Sequence, residues 1–406
     1  MGATPEGQPA PADGLLPESA VSNGSAAFGV YVHIPFCTVR CGYCDFNTYT
    51  HTDMPGVSQA EYSTIASEEI NFAQRVLNES GIPSREVSTI FFGGGTPTLL
   101  PPEHLGGVID RIAQAWGIEA GAEITVEANP DTVNEKSLNE LARMGVTRVS
   151  FGVQSFVPRV LSILDRTHDP EAVPRVVEQA KQAGLSVSVD LIYGTPGETQ
   201  EEWRRSLEGA LALEPDHISA YSLIVEQGTA LARRVSRGEL DPIDDDTHAQ
   251  FYEQADDAFL DAGFEWYEVS NWARSPQHRS RHNLSYWTGA DWWGVGPGAH
   301  SHVGGVRWWN VKHPKAYADR ISQGVSPALA REELGVDERY MEMVMLALRI
   351  RDGLPIDALR PGVQQVVAGA MAQELIEPRA ALGGTLILTR KGRLVADGLA
   401  RDLLSV

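Results

Sequence analysis

Cys37, Cys41 and Cys44 are the only thiols in 406 residues, and they fall within eight positions of one another. Their C-x3-C-x2-C spacing lets three thiolates converge from one loop, and thiolates are the ligands that iron-sulfur clusters require. Three ligands to a 4Fe-4S cluster leave one iron open, and an open metal position distinguishes a site that binds substrate or cofactor from a closed structural one. From this loop alone, a zinc site completed by His33 or Asp45, or three unrelated thiols, is the alternative. Zinc sites usually bring a second close cysteine pair, and the chain has none. A disulfide would leave one cysteine over and strain a tight loop.

A second group of candidates lies where strand-like runs end. Gly93, Gly94 and Gly95, followed by Thr96 and Pro97, could bring backbone close to a ligand and offer it N–H groups. Glu127, Gln154 and Asp190 each close a later run. A carboxylate there suits a ribose hydroxyl or an ammonium, or it caps the following helix. A third group is compositional. Seven of the nine tryptophans lie between Trp266 and Trp309, and five histidines between His278 and His313. Aromatics with a neutral imidazole suit a flat apolar macrocycle whose iron takes an axial nitrogen; the alternative is a tryptophan-rich core with satisfied histidines.

These residues need a frame, and the hydrophobic pattern supplies one. Strand-like runs at Ala27 to His33, Val87 to Phe92, Glu123 to Ala128, Thr147 to Val153, Leu185 to Ile192 and His217 to Leu223 alternate with helical stretches. The helices are expected at Ser58 to Glu79, Glu103 to Trp116, Glu135 to Met144, Pro170 to Ala183, Gln200 to Leu213 and Asp245 to Ala262, the first opened by a Ser58/Glu61 capping box. Strict β-α alternation predicts parallel strands with right-handed crossovers, and six units are too few for a closed eight-fold barrel. The expectation is an α/β fold: an open, partial (βα)6 TIM-like barrel with polar strand ends at its mouth. A doubly wound sheet is the alternative. Residues 1–26, rich in Ala, Pro, Gly and Ser, are expected to be a disordered leader. The barrel spans 27–265, the tryptophan- and histidine-rich segment 266–326, and a small α+β domain 327–406.

The stretch YVHIPFCTVRCGYC resembles the signature of radical S-adenosylmethionine (SAM) proteins, specifically the branch holding oxygen-independent coproporphyrinogen III oxidase and the HemW-type haem chaperones. The resemblance implies that Cys37, Cys41 and Cys44 hold a 4Fe-4S cluster whose open iron binds SAM. It also implies SAM contacts from Tyr31, Gly94, Gly95, Thr96, Glu127, Gln154, Arg166 and Asp190, some to a second SAM, with Tyr43 packing over the cluster or adenine. The oxidase carries a fourth cysteine two positions after the third, where this chain has Phe46, and that departure points to the chaperone branch. HNLSYW resembles the H-N-x-x-Y-W motif of those chaperones, making His282 the leading haem ligand, with His300 and His302 behind it. The implied function is a haem chaperone that passes one haem to acceptor haemoproteins, such as those of the respiratory chain. The alternative is the oxidase, decarboxylating coproporphyrinogen III. The C-terminal helices and hairpin resemble the family's winged-helix-like tail.

Composition bounds these expectations. With 54 acidic and 33 basic residues the net charge is -21, which argues against a nucleic-acid partner. No apolar run is long enough to span a membrane, and the N-terminus lacks the basic and apolar regions of a secretory signal. A cytoplasmic location is expected, consistent with an oxygen-sensitive cluster and no disulfide framework.

Overall fold

A computed structural model describes residues 7–22, 27–50, 53–54 and 57–405. Six strands form its centre: β1 (Phe28–Ile34), β2 (Val87–Gly94), β3 (Ile118–Ala128), β4 (Arg148–Gln154), β5 (Ser186–Tyr193) and β6 (His217–Ser222). They pair in sequence order, every pair parallel. A doubly wound sheet would reverse that order part-way; none of these six does, so the strands form the expected partial barrel. The longer helices between them are α1 (Gln59–Glu79), α2 (Pro102–Trp116), α3 (Glu135–Arg143), α4 (Val173–Gln182) and α5 (Gln200–Ala212), with α6 (Asp245–Asp261) after β6. The Ser58/Glu61 capping box opens α1.

Period-two alternation in the strands decides what faces inward. In β4, Val149, Phe151 and Val153 are fully buried and join the main core, while Arg148, Ser150, Gly152 and Gln154 line an internal cavity. In β5, Val187, Val189 and Leu191 face the core, and Ser188 and Asp190 face the cavity. Apolar residues thus hold the helices against the outside of the barrel, and polar ones line a hollow interior.

The tryptophan- and histidine-rich segment extends this same sheet on both edges. On one edge, β7 (Glu265–Glu268) and β8 (Asn271–Ala273) follow β6. On the other, β9 (Asp291–Val295) pairs parallel with β1, and β10 (His300–Val303), β11 (Val306–Asn310) and β12 (Ala328–Glu333) continue antiparallel. Buried Glu69 of α1 ties the extension down. It accepts hydrogen bonds from the Gly296 N–H (2.7 Å), the Asn310 amide (2.8 Å) and the Tyr317 hydroxyl.

Two expectations on organisation need correction. Residues 7–22, expected to be disordered, lie along the sheet edge. Gln8–Pro9 pairs antiparallel with β12, the Leu16 N–H donates to Ser80 Oγ (2.9 Å), and Ser22 Oγ to Asp291 (2.8 Å). A sheet edge offers unpaired backbone groups, which the leader covers despite its composition. Residues 1–6 and 23–26 of that stretch lie outside the described residues. The C-terminal unit begins later than 327, because β12 belongs to the main sheet. Its own core gathers Val344, Leu348, Leu354, Ile376, Leu386, Leu399 and Leu403. A helix at Val336–Ala347 and a two-stranded ribbon of Leu354–Pro355 and Thr385–Leu386 are part of it. Arg393 docks it on α6, paired with Asp256 at 2.7 Å.

Candidate cofactor and haem site

The barrel encloses a cavity of about 560 Å³. Its wall brings together thirteen of the residues singled out in the sequence: Tyr31, Cys37, Cys41, Tyr43, Cys44, Gly94, Gly95, Thr96, Glu127, Gln154, Arg166, Asp190 and His282.

The cysteine loop leaves β1 at the carboxyl end of the barrel. All three thiols are free and half-buried. Backbone hydrogen bonds pin the loop: Cys37 N–H to Tyr49 O (2.9 Å), Gly42 N–H to Leu164 O (3.1 Å), and Leu231 N–H to Gly42 O (2.8 Å). Three free thiols on one pinned loop, open to a cavity, fit a cluster with an exchangeable iron. The His33 ring is used elsewhere. One nitrogen meets Tyr31 Oη (3.0 Å) and the other Asn47 O (2.9 Å), and burial lowers its pKa to about 4. Arg166 Nη1 donates to Cys41 Sγ (3.5 Å) and Nη2 to Asn129 Oδ1 (2.8 Å) and the Gly152 carbonyl. Tyr43 packs beside Val157, Val160 and Leu164 as well as facing the cavity.

The glycine run serves a purpose other than the one expected. Its N–H groups are not held open for a ligand: Gly94 donates to Glu127 Oε2 (3.1 Å), Gly95 to Ile34 O (2.7 Å) and Thr96 to Phe36 O (2.7 Å). A side chain on Gly95 would overlap the carbonyls of Phe36 and Ile34, and one on Gly94, at φ +108°, would overlap the His33 ring. The run is glycine because it stacks directly on the strand that delivers the cysteines.

Two buried carboxyl groups line the cavity on either side of β4: Glu127 is paired in register with Ser150, whose hydroxyl donates to Asp190. Burial, reinforced by the charge of Asp190, pushes Glu127 up to about 8. Asp190 is also raised by burial, against hydrogen bonds from Ser219 and Ser150, the latter at 2.9 Å. Gln154 ends β4 at φ +65°, a left-handed conformation that non-glycine residues adopt at some cost.

His282 lies deeper, on the short helix α7 (Arg281–Trp287) that closes one side of the barrel. It is 1% exposed. Its ring stacks on Phe91 with centroids 5.0 Å apart, Nδ1 meets Thr89 Oγ1 (2.8 Å), and Nε2 meets Tyr286 Oη (2.8 Å). Burial lowers its pKa to about 3, so the imidazole is neutral at physiological pH. Glu123 of β3 holds the helix start by accepting from the backbone N–H groups of Arg281 (3.0 Å) and His282 (3.1 Å).

The tryptophans and the other histidines of that segment stay out of the cavity. Trp293 and Trp308 pack edge to face in the sheet extension, Trp272 donates to Asp256 (2.9 Å), and His300 stacks on Trp309. His302 Nδ1 meets the Ala290 carbonyl (3.0 Å). Tyrosine and phenylalanine, among them Tyr31, Tyr43, Phe91, Tyr221 and Tyr286, supply rings to the cavity wall, and among the described residues no tryptophan lines it. Sequence reasoning also passed over Phe91, Arg148, Ser150 and Ser188, which the inward alternation of β2, β4 and β5 could have identified.

The radical SAM superfamily model matches residues 31–209. The heme chaperone HemW of Mycobacterium tuberculosis is 44% identical over 93% of this chain and 95% of its own. That of Bacillus subtilis is 36% identical over 80% and 84%. This chain belongs to the HemW family of radical SAM proteins. The family implies a 4Fe-4S cluster and SAM, which the three thiols and the cavity beside them suit. Coproporphyrinogen III oxidase (HemN) of Escherichia coli matches with a TM-score of 0.78 at 22% identity, covering 95% of this chain and 92% of that one, and this shows a shared fold. Among the described residues no helix is long and apolar enough to cross a membrane.

Proposed function

We propose that the protein is a haem chaperone that holds one haem through His282 and passes it to an acceptor haemoprotein, such as one of the respiratory chain. One observation carries the assignment: the neutral, stacked imidazole of the HNLSYW motif lines the same cavity as the three thiols. Axial ligation needs a neutral imidazole whose second nitrogen is oriented by a partner. With Thr89 holding Nδ1, Nε2 can meet iron once the Tyr286 hydroxyl lets go.

Cys37, Cys41 and Cys44 would hold the cluster, which when bound supplies an open iron for SAM and an electron for its cleavage. Around it, Glu127 would accept from the cationic parts of SAM, and Arg166 and Gln154 would bound its carboxylate. Tyr31, Gly94, Gly95, Thr96 and Asp190 would complete that wall, with Tyr43 beside the cluster. Phe46, 47% exposed at the mouth, stands where the oxidase has its extra thiol and can neither ligate nor donate. That weighs for the chaperone over the decarboxylase. The C-terminal unit would serve as a cover or docking surface.

The test is transfer. Hemin-loaded wild type mixed with an apo-haemoprotein should yield the acceptor's spectrum, and His282→Ala should neither retain hemin nor deliver it. Equal retention and transfer by both proteins would remove His282 from the account.

A further inference from the structure

Buried polar atoms without partners are uncommon enough that each asks for a reason. Two of them are neighbours in the cavity wall, away from the cysteine loop. Arg148 is 4% exposed; its Nη1 donates to the His278 carbonyl (2.9 Å) and lies 3.8 Å from Glu123, while Nη2 has no partner. The Thr125 hydroxyl, on a residue 1% exposed, is likewise unpartnered. Thr125 and Arg148 are directly opposite each other across β3 and β4, and both line the cavity. The same row runs on through Phe91 to Tyr31, the two rings against which His282 stacks. At a strand spacing of about 4.8 Å, Arg148 stands about 10 Å from Phe91 across two strands.

A guanidinium nitrogen and a hydroxyl carried at opposed positions of adjacent strands supply two donors for a carboxylate, and a charge-assisted bond of this kind is strongest where water is excluded. Glu123 does not fill that role, because its oxygens are taken up by the start of α7. Towards the mouth the acids are Glu127 and Asp190; burial raises both, and the charge of Arg148 opposes that rise at Asp190 without any hydrogen bond from Nη2 to either.

We propose that Arg148 and Thr125 form the subsite for a carboxylate side chain of the macrocycle whose iron His282 holds. The inference rests on the haem reading above and adds where the carboxylate goes. Haem would then be fixed at two points, iron on one side of the row and a propionate on the other. That sets its rotation in the cavity as well as its depth.

The test compares hemin with hemin dimethyl ester, whose carboxylates are blocked, each titrated into the full-length protein and followed in the Soret region. Wild type should bind hemin at least about tenfold more tightly than the ester; Arg148→Met should abolish that preference and Arg148→Lys retain part of it. The two-ligand comparison on wild type needs no variant, so it stands even if Arg148→Met folds poorly. Equal affinity of wild type for the two ligands overturns the proposal, as does a preference left intact in Arg148→Met. Weakened SAM binding in that variant, with the hemin preference intact, also overturns it by assigning the pair to the amino-acid carboxylate of SAM. Failure of wild type to bind hemin saturably is a separate outcome, and it removes the haem reading itself.

Discussion

At the mouth of the cavity three thiols sit half-buried on a loop held by backbone hydrogen bonds, whereas deeper in the barrel one imidazole is sealed, with a partner on each nitrogen. The first arrangement is ready to receive ligands; the second has to exchange one of its own bonds for a ligand. The difference suits two tasks. A resident cofactor calls for a preformed frame, while a cargo that must leave again calls for a site that can close behind it. Retention without permanence follows if the Tyr286 hydroxyl competes with iron for the same nitrogen.

The frame at the mouth can be broken with one methyl group. Gly95→Ala puts a Cβ into the carbonyls of Ile34 and Phe36, which cannot retreat without moving β1. A loss of about 2–3 kcal/mol is expected, read as a lower urea midpoint, together with poor iron incorporation on anaerobic reconstitution. Hemin binding per folded molecule should change far less, since His282 hangs from β2 and β3.

How much of this contrast could be read from the sequence depends on the kind of signal. The barrel was legible because each strand and helix carries its own period, and the Ser58/Glu61 box fixes the start of α1 to the residue. The cysteine loop and the strand-end acids were legible because their chemistry is tied to position. The aromatic segment was harder to divide. Composition alone cannot separate a tryptophan that packs in a sheet from one that lines a cleft, and here the tryptophans pack while only His282 and Tyr286 turn inward. The leader misled because low-complexity composition carries no signal of an edge that will accept it. The glycine run misled in its purpose, since a Gly can approach protein backbone as readily as a ligand.

A smaller effect separates ligand binding at the mouth from stability. Glu127, raised by burial to about 8, is protonated in the folded ligand-free protein at neutral pH. A group raised in this way stabilises the fold fully below its unfolded value, near 4.5, and that contribution is lost as pH rises through about 8. Glu127→Gln should therefore be more stable than wild type at pH 8.5, by on the order of 1–3 kcal/mol, with the gap closing by pH 4.5. The same variant should bind SAM at least about tenfold more weakly. In wild type, binding of a cation beside Glu127 needs the carboxylate, so affinity should fall as pH drops from 8 to 6, about tenfold per unit at most. A flat pH profile would show that Glu127 does not meet the cation.

The smallest change sharpens the deeper end. Tyr286→Phe removes the hydroxyl that holds Nε2 while keeping the ring against His282. Hemin should bind several-fold more tightly and leave more slowly, the equivalent of about 1 kcal/mol for one hydrogen bond no longer exchanged. Weaker binding would mean that Tyr286 assists ligation instead of competing with it.

The central claim is that the two ends hold different groups independently, and one paired titration tests it most directly. Iron content and hemin affinity are measured on wild type, on Cys37→Ser/Cys41→Ser/Cys44→Ser, and on His282→Ala, all reconstituted anaerobically. The account predicts about four irons per chain in wild type and His282→Ala and none in the triple variant, with saturable hemin binding in wild type and the triple variant and none in His282→Ala. Hemin binding that disappears with the cysteines and survives without His282 would contradict it.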